Sequence, residues 1–217
     1  MIKPRLLYFF DTMCSWCYGF APEMEKILSA QGERVEFVFF SGGLRPFTRE
    51  PMDDKMRDFL ANVHQRIHDV TGQPFSDPAK RYPPGFIYDT EPAARAVALM
   101  REMKPEDAYR YMIAIQQGYY AEGDDITKAE PLAKHAEAFG VARTDFLAAF
   151  DSQDMREATL ADFQVSQQLG VKGFPMLVVH RKNAKGEDEL LAVSNGYAKA
   201  EEILPRIEMV LKDHVAS

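Results

Sequence analysis

The chain has 217 residues, 46% of them hydrophobic and 27% charged, with a formal net charge of −7 and a pI near 5.3. That length and apolar content supply one sizeable core. The acidic balance excludes a duplex phosphate backbone or an anionic membrane as partner, because both need a concentrated cationic surface.

Lys3 and Arg5 lead into Leu6-Leu7-Tyr8-Phe9-Phe10, a first strand that Asp11 cuts short. The run is too short for the apolar region of a signal peptide, and no other stretch is long enough to span a bilayer, so a cytoplasmic protein is expected. Cys14-Ser15-Trp16-Cys17 follows and contains both cysteines of the chain. Helical spacing then runs over about 17–31, with Met24, Ile27 and Leu28 on one side and Gly32 as a stop signal. Strand, C-x-x-C, helix is the arrangement of a thioredoxin-type dithiol site. A first cysteine at a helix N-terminus faces unpaired N–H groups and the positive end of the dipole, which favour thiolate over thiol. With no third cysteine, an oxidised pair joins only itself. Val35 to Phe40 reads as a second buried strand ending at Ser41-Gly42-Gly43. The resulting β-α-β unit implies a right-handed crossover, with its site at the carboxyl end of the first strand, where Cys14 falls.

Over 44–169 the pattern becomes helical. Pro51 is expected to open a helix to about Val70, Pro92 another and Pro105 a third; Thr127 with Glu130 reads as a capping box for the helix ending near Phe139-Gly140. Gly72 to Gly85, with its prolines, is the longest loop signal. Thr144 or Asp145 starts a short helix, and about Gln153 to Leu169 forms the last of the block before Gly170. Strand character returns in Met176-Leu177-Val178-Val179-His180 and Glu189-Leu190-Leu191-Ala192-Val193, joined by a turn around Asn183 to Gly186. A helix from about Lys199 to Lys212 closes the chain. The expected fold is α/β: a thioredoxin-like β-α-β…α-β-β-α core, residues 1–43 and 170–217, interrupted by an all-helical insertion, 44–169, whose last helix rejoins the core.

Strand-Asp11-x-x-Cys14-Ser15-Trp16-Cys17-Tyr18-Gly19, the helical insertion, and Leu169-Gly170-Val171-Lys172-Gly173-Phe174-Pro175-Met176 before a strand resemble the DsbA-like branch of the thioredoxin superfamily over nearly the whole chain. The sequence is most similar to the bacterial group of cytosolic DsbA-family disulfide oxidoreductases that includes FrnE-like proteins. The resemblance implies Cys14 as an exposed nucleophile, Cys17 as a buried resolving thiol, and Pro175 as a cis-proline beside them. Phe174 and Met176 then lie where an extended substrate chain pairs. The family's best-known members carry proline-histidine between the cysteines, so the Ser15-Trp16 pair gives no licence to transfer a strongly oxidising potential. Ser15 is placed to donate to the sulfur, and Trp16 to cover it or to meet substrate.

The function implied is a thiol–disulfide oxidoreductase, a reductase or isomerase of protein or small-molecule disulfides. It needs no metal or organic cofactor, and glutathione is a candidate redox partner. A reducing compartment favours reduction or isomerisation over net oxidation. Two alternatives stand beside it. One is a glutathione-dependent isomerase or transferase, similar to the 2-hydroxychromene-2-carboxylate isomerase and kappa-class group, which generally places serine where Cys14 stands. The other is a non-catalytic redox-sensing binding module.

Further residues carry two readings each. Asp11 serves the dithiol, as a proton acceptor or as a negative charge that raises the thiol pKa, or it caps the loop after the strand. His64 and His68 share a helical face, as metal ligands or, more in keeping with the absent third ligand, as a solvated face. Met100, Met103, Tyr109, Tyr111, Met112, Tyr119 and Tyr120 line a peptide groove or fill a core. Tyr82-Pro83-Pro84-Gly85-Phe86 is a lid or an ordinary loop.

Overall fold

The computed structural model describes residues 3–215, so residues 1, 2, 216 and 217 of the outer segments lie outside it. Its sheet has the strand order β2-β1-β3-β4. β1 (Arg5–Phe10) pairs in parallel with β2 (Glu36–Ser41), with Phe9 opposite Phe40, and α1 (Ser15–Gln31) crosses between them. β3 (Met176–Lys182) lies antiparallel on the other side of β1, with Phe9 opposite Met176. β4 (Asp188–Asn195) completes a hairpin whose turn is held by the Asn183 side chain, which accepts from the backbone N–H groups of Lys185 and Glu187 at 2.9 and 3.1 Å. α9 (Ala200–Val215) then returns against α1 and the hairpin.

Period-two alternation places β1 between two cores. Leu6, Tyr8 and Phe10 join the main cluster, whereas Leu7 and Phe9 pack with Val178, Val38, Phe40 and Phe174 on the opposite face. Each such side chain contributes roughly 1.5–3 kcal/mol on burial. α1 tolerates Pro22 in its interior because the carbonyl its missing N–H abandons, that of Tyr18, accepts instead from Gln73 Nε2 at 3.1 Å.

Between β2 and β3 run α2 (Asp54–Thr71), α3 (Pro78–Arg81), α4 (Glu91–Met103), α5 (Ala108–Gln117), a wide π turn at Gly118–Glu122, α6 (Ala129–Glu137), α7 (Arg143–Phe150) and α8 (Gln153–Gln168). Several starts differ from the sequence expectation. α2 begins after Asp53, whose carboxylate caps Met56 N–H at 2.8 Å; Pro51 instead bridges to Ile87. α3 interrupts the proline-rich loop because Asp77 caps it and Pro78 suits the first helical position. The residues after Pro105 make a turn, and α5 starts at Ala108. The capping box does not form, because Thr127 turns both its N–H and its hydroxyl to Asp125 Oδ1, at 3.1 and 2.5 Å.

β2 is an edge strand, and its polar groups are taken up by the helices. Arg101 on α4 donates to the Phe39 carbonyl at 2.9 Å, and Asp162 on α8 accepts Ser41 N–H at 3.0 Å while pairing with Arg101 at 2.8 Å. Met100, Tyr111, Met112, Tyr119 and Tyr120 are fully buried, and Met103 and Tyr109 pack against them, so these residues build core and the peptide-groove reading is withdrawn. Tyr82 and Phe86 are buried too, and Arg57 grips the carbonyls of Tyr82 and Pro83, which makes this segment a packed wall and no lid.

The solvated-face reading of the histidines fails for His64. It is buried, its ring stacks on Phe75 with centroids 4.6 Å apart, and its Nδ1 accepts from the buried Arg81 at 3.2 Å. Arg81 can only donate, which assigns the proton of the neutral ring to Nε2. Burial and the Arg81 charge push the His64 pKa down to about 3. His68 is exposed, and among the described residues no cluster of three metal-ligating side chains occurs.

Candidate active site

The loop after β1 turns sharply because Asp11 organises it. Its carbonyl accepts Cys14 N–H at 3.0 Å, and its carboxylate accepts Met13 N–H at 2.8 Å and Leu44 N–H at 2.6 Å, tying the dithiol loop to the segment after β2. Asp11 is buried, and desolvation outweighs those bonds to push its pKa up to about 6. Capping and titration therefore meet in one side chain. Cys14 occupies the N-cap of α1 with an extended backbone and no side-chain cap, so the first-turn N–H groups at this end have no intrahelical acceptors.

The two thiols are unbonded and differ in surroundings. Cys14 retains 8% exposure, so the expectation of an exposed sulfur is corrected to a thiol of narrow access; Cys17 has none. Burial pushes the Cys17 pKa well up, and its neighbours Cys14 and the Asp11 charge push it the same way; the Tyr8 hydroxyl is a further neighbour of this sulfur. Ser15 is buried at the first helical position. Trp16 is half-buried, its ring 5.6 Å from that of Tyr197.

From the other side of the sheet, the Phe174–Pro175 peptide is cis, and the Phe174 carbonyl accepts the Cys14 thiol at 3.7 Å. This brings a carbonyl 160 residues distant in sequence onto the N-terminal sulfur. The Phe174 ring fills the space over Gly42, where an added Cβ would stand 1.9 Å from its Cζ. Met176 is half-buried at the start of β3.

Residues 5–198 match the DSBA-like thioredoxin domain. The chain belongs to that family. Over 98% of this chain and 100% of the other, the DSBA-like fold superposes with a TM-score of 0.89 on the crystal structure of a Nitrosomonas europaea protein named provisionally as a protein disulfide isomerase, at 33% identity. The cytosolic disulfide reductase DsbM of Pseudomonas aeruginosa gives a TM-score of 0.75 at 22% identity, covering 96% of this chain and 98% of that one, a likeness of fold. Among curated proteins, the ClpXP adapter protein SpxH of Halalkalibacterium halodurans is 23% identical over 202 residues, 90% of this chain; the chain spans 64% of that relative's length.

Four contributors to this DSBA-like site are not assigned to it from the sequence, although Tyr120 is named there as a groove or core residue. Tyr8 lies beneath Cys17. Tyr88, before α4, and Tyr120, in the π turn, both donate their hydroxyls to the Met13 carbonyl, the latter at 2.5 Å. Gly42 admits the Phe174 ring. Gly42-Gly43 after a strand was a readable signal for close approach. The tyrosines are indistinguishable in sequence from core aromatics.

Proposed function

We propose that the protein is a thiol–disulfide oxidoreductase acting as a reductase or isomerase of protein or small-molecule disulfides. The observation that carries the reading is the contact of the Cys14 thiol with the carbonyl preceding Pro175, backed by a fully enclosed Cys17. Cys14 as thiolate attacks one sulfur of a substrate disulfide; the other leaves as a thiolate, and a mixed disulfide forms. Cys17 then gives up its proton and attacks the Cys14 sulfur. The second substrate sulfur is released, and a Cys14–Cys17 disulfide remains, two electrons having passed to the substrate. A low-molecular-weight thiol of the glutathione class restores the dithiol without metal or organic cofactor, and a reducing, cytoplasmic compartment sets that direction. Family membership and the isomerase and reductase names of the similar structures support the reading. Among the described residues no helix is long and apolar enough to cross a membrane.

The adapter name of the curated relative supports a second reading, a redox-dependent binding module without turnover. Glutathione-coupled reduction of insulin separates the two. Turnover that disappears in Cys14→Ser, with a mixed disulfide that accumulates in Cys17→Ser, is expected of the enzyme. A rate in the wild type no greater than in Cys14→Ser would reject it. Conjugation or isomerase activity that survives Cys17→Ser would instead indicate the glutathione-dependent isomerase or transferase type.

A further inference from the structure

Beside Cys14 opens a cleft of about 370 Å³, lined by Trp16, Arg66, Val70, Phe174, Gly196 and Tyr197. Two of these residues belong to the dithiol site itself: Trp16 separates the cysteines, and Phe174 supplies the carbonyl against the Cys14 thiol. The walls are aromatic and aliphatic except at one point. Arg66, on α2, is exposed and sets its guanidinium carbon 5.9 Å from the centre of the Trp16 ring.

Three observations make this cation a recognition element. First, among the described residues no ion pair involves Arg66; the nearest acid on its own helix, Asp69, accepts from Gln65 Nε2 at 2.8 Å. Second, α2 is held close to α1 by Gly19, where an added Cβ would come within 2.8 Å of the Ile67 side chain, the residue next to Arg66. The stretch of α2 that carries Arg66 is therefore packed closely on the helix that bears the cysteines. Third, Arg66 is the one charged side chain among the residues lining the cleft, in a chain of net charge −7 whose overall field opposes anions. A planar guanidinium seated on an aromatic face keeps its donors free for a bidentate carboxylate.

We infer that this cleft takes disulfides with a carboxylate close to the reacting sulfur, and that Arg66 pairs with that carboxylate while the apolar part lies on Trp16, Phe174 and Tyr197. Arg66 is thus a specificity-determining residue. The inference rests on the oxidoreductase reading, and it names the substrate class.

Trp16 is the single tryptophan of the chain and reports the state of the dithiol directly. The test is single-turnover oxidation of the fully reduced protein, followed by Trp16 fluorescence, with blocked cyclic disulfide peptides that differ only in Glu, Gln or Lys beside one cysteine. At low ionic strength the Glu peptide is expected to react about five-fold faster than the Lys peptide, the fold-change an exposed ion pair supplies. The ratio should shrink in 0.5 M salt, roughly the regime where the Debye length falls to a few ångströms. It should approach one in Arg66→Gln and invert in Arg66→Glu. A parallel pair, 3,3′-dithiodipropionate and its diamide, tells whether a small molecule suffices or a peptide chain is required. An acid preference lost with Arg66 in either pair supports the assignment. Equal rates throughout, or a Glu preference that persists in Arg66→Glu, overturn it and leave the oxidoreductase intact. Reaction with none of the disulfides would reject both.

Discussion

At the scale of single residues, Asp11 holds the dithiol loop through two backbone N–H groups and faces Cys17 as an acid whose pKa is raised to about 6. Its charge opposes formation of the Cys17 thiolate. Removing that charge with Asp11→Asn in a Cys14→Ser background should lower the Cys17 titration midpoint, read by thiolate absorbance at 240 nm; a midpoint that rises would show that the carboxylate assists ionisation. The same substitution changes the pH dependence of folding. A carboxyl whose folded pKa lies above its unfolded value of 3.8 makes the native state the better proton binder between the two. Stability therefore falls as pH rises through that interval, by about 3 kcal/mol for a shift of this size, and Asp11→Asn should flatten the slope there. Asp11 was open to two readings in the sequence because an aspartate after a strand serves either role equally well. Its bonds to Met13 and Leu44 show the capping role, and the titration of Asp11→Asn tests the other.

At the scale of elements, the site is made where the end of β1, the start of α1 and the segment before β3 meet. The sheet brings them together by pairing Phe9 with both Phe40 and Met176. Gly42 is the point of closest approach, and its Cβ-free surface is required by the Phe174 ring and not by its backbone angles. Gly42→Ala should displace that ring and with it the carbonyl that meets Cys14, slowing disulfide reduction at least ten-fold and destabilising the fold by about 1–3 kcal/mol. Urea denaturation beside the insulin assay checks both, and an alanine variant of unchanged rate would mean that the Phe174 position is immaterial. The strands, the dithiol and the helix ends at Gly32, Gly72 and Gly170 were legible because each carries a local signal of periodicity or backbone freedom. The starts of α2, α5 and α6 were not, since Asp53 and Asp125 compete for nearby N–H groups in ways that proline positions and the Thr127-Glu130 spacing do not reveal.

At the scale of the whole molecule, His64 shows why polarity in a sequence is a poor guide to exposure. Two histidines one turn apart look like a wet face until Phe75 and Arg81, both further along the chain, fold over one of them. A histidine held neutral with a folded pKa of about 3 against 6.5 makes the unfolded state the better proton binder, so stability is lost as pH falls from 6.5 toward 3. From pH 7 to pH 4 the loss is on the order of 3 kcal/mol. His64→Phe forfeits the Arg81 bond at every pH, yet should lack this acid component. Urea midpoints for both proteins across that range should converge toward low pH, and parallel curves would mean His64 does not titrate on unfolding. The grip on the Met13 carbonyl reaches further still. Its two hydroxyl donors lie 75 and 107 residues downstream. A chain emerging from the ribosome thus displays both cysteines long before the residues that seat their loop exist, and the loop can be gripped only after translation has passed the π turn.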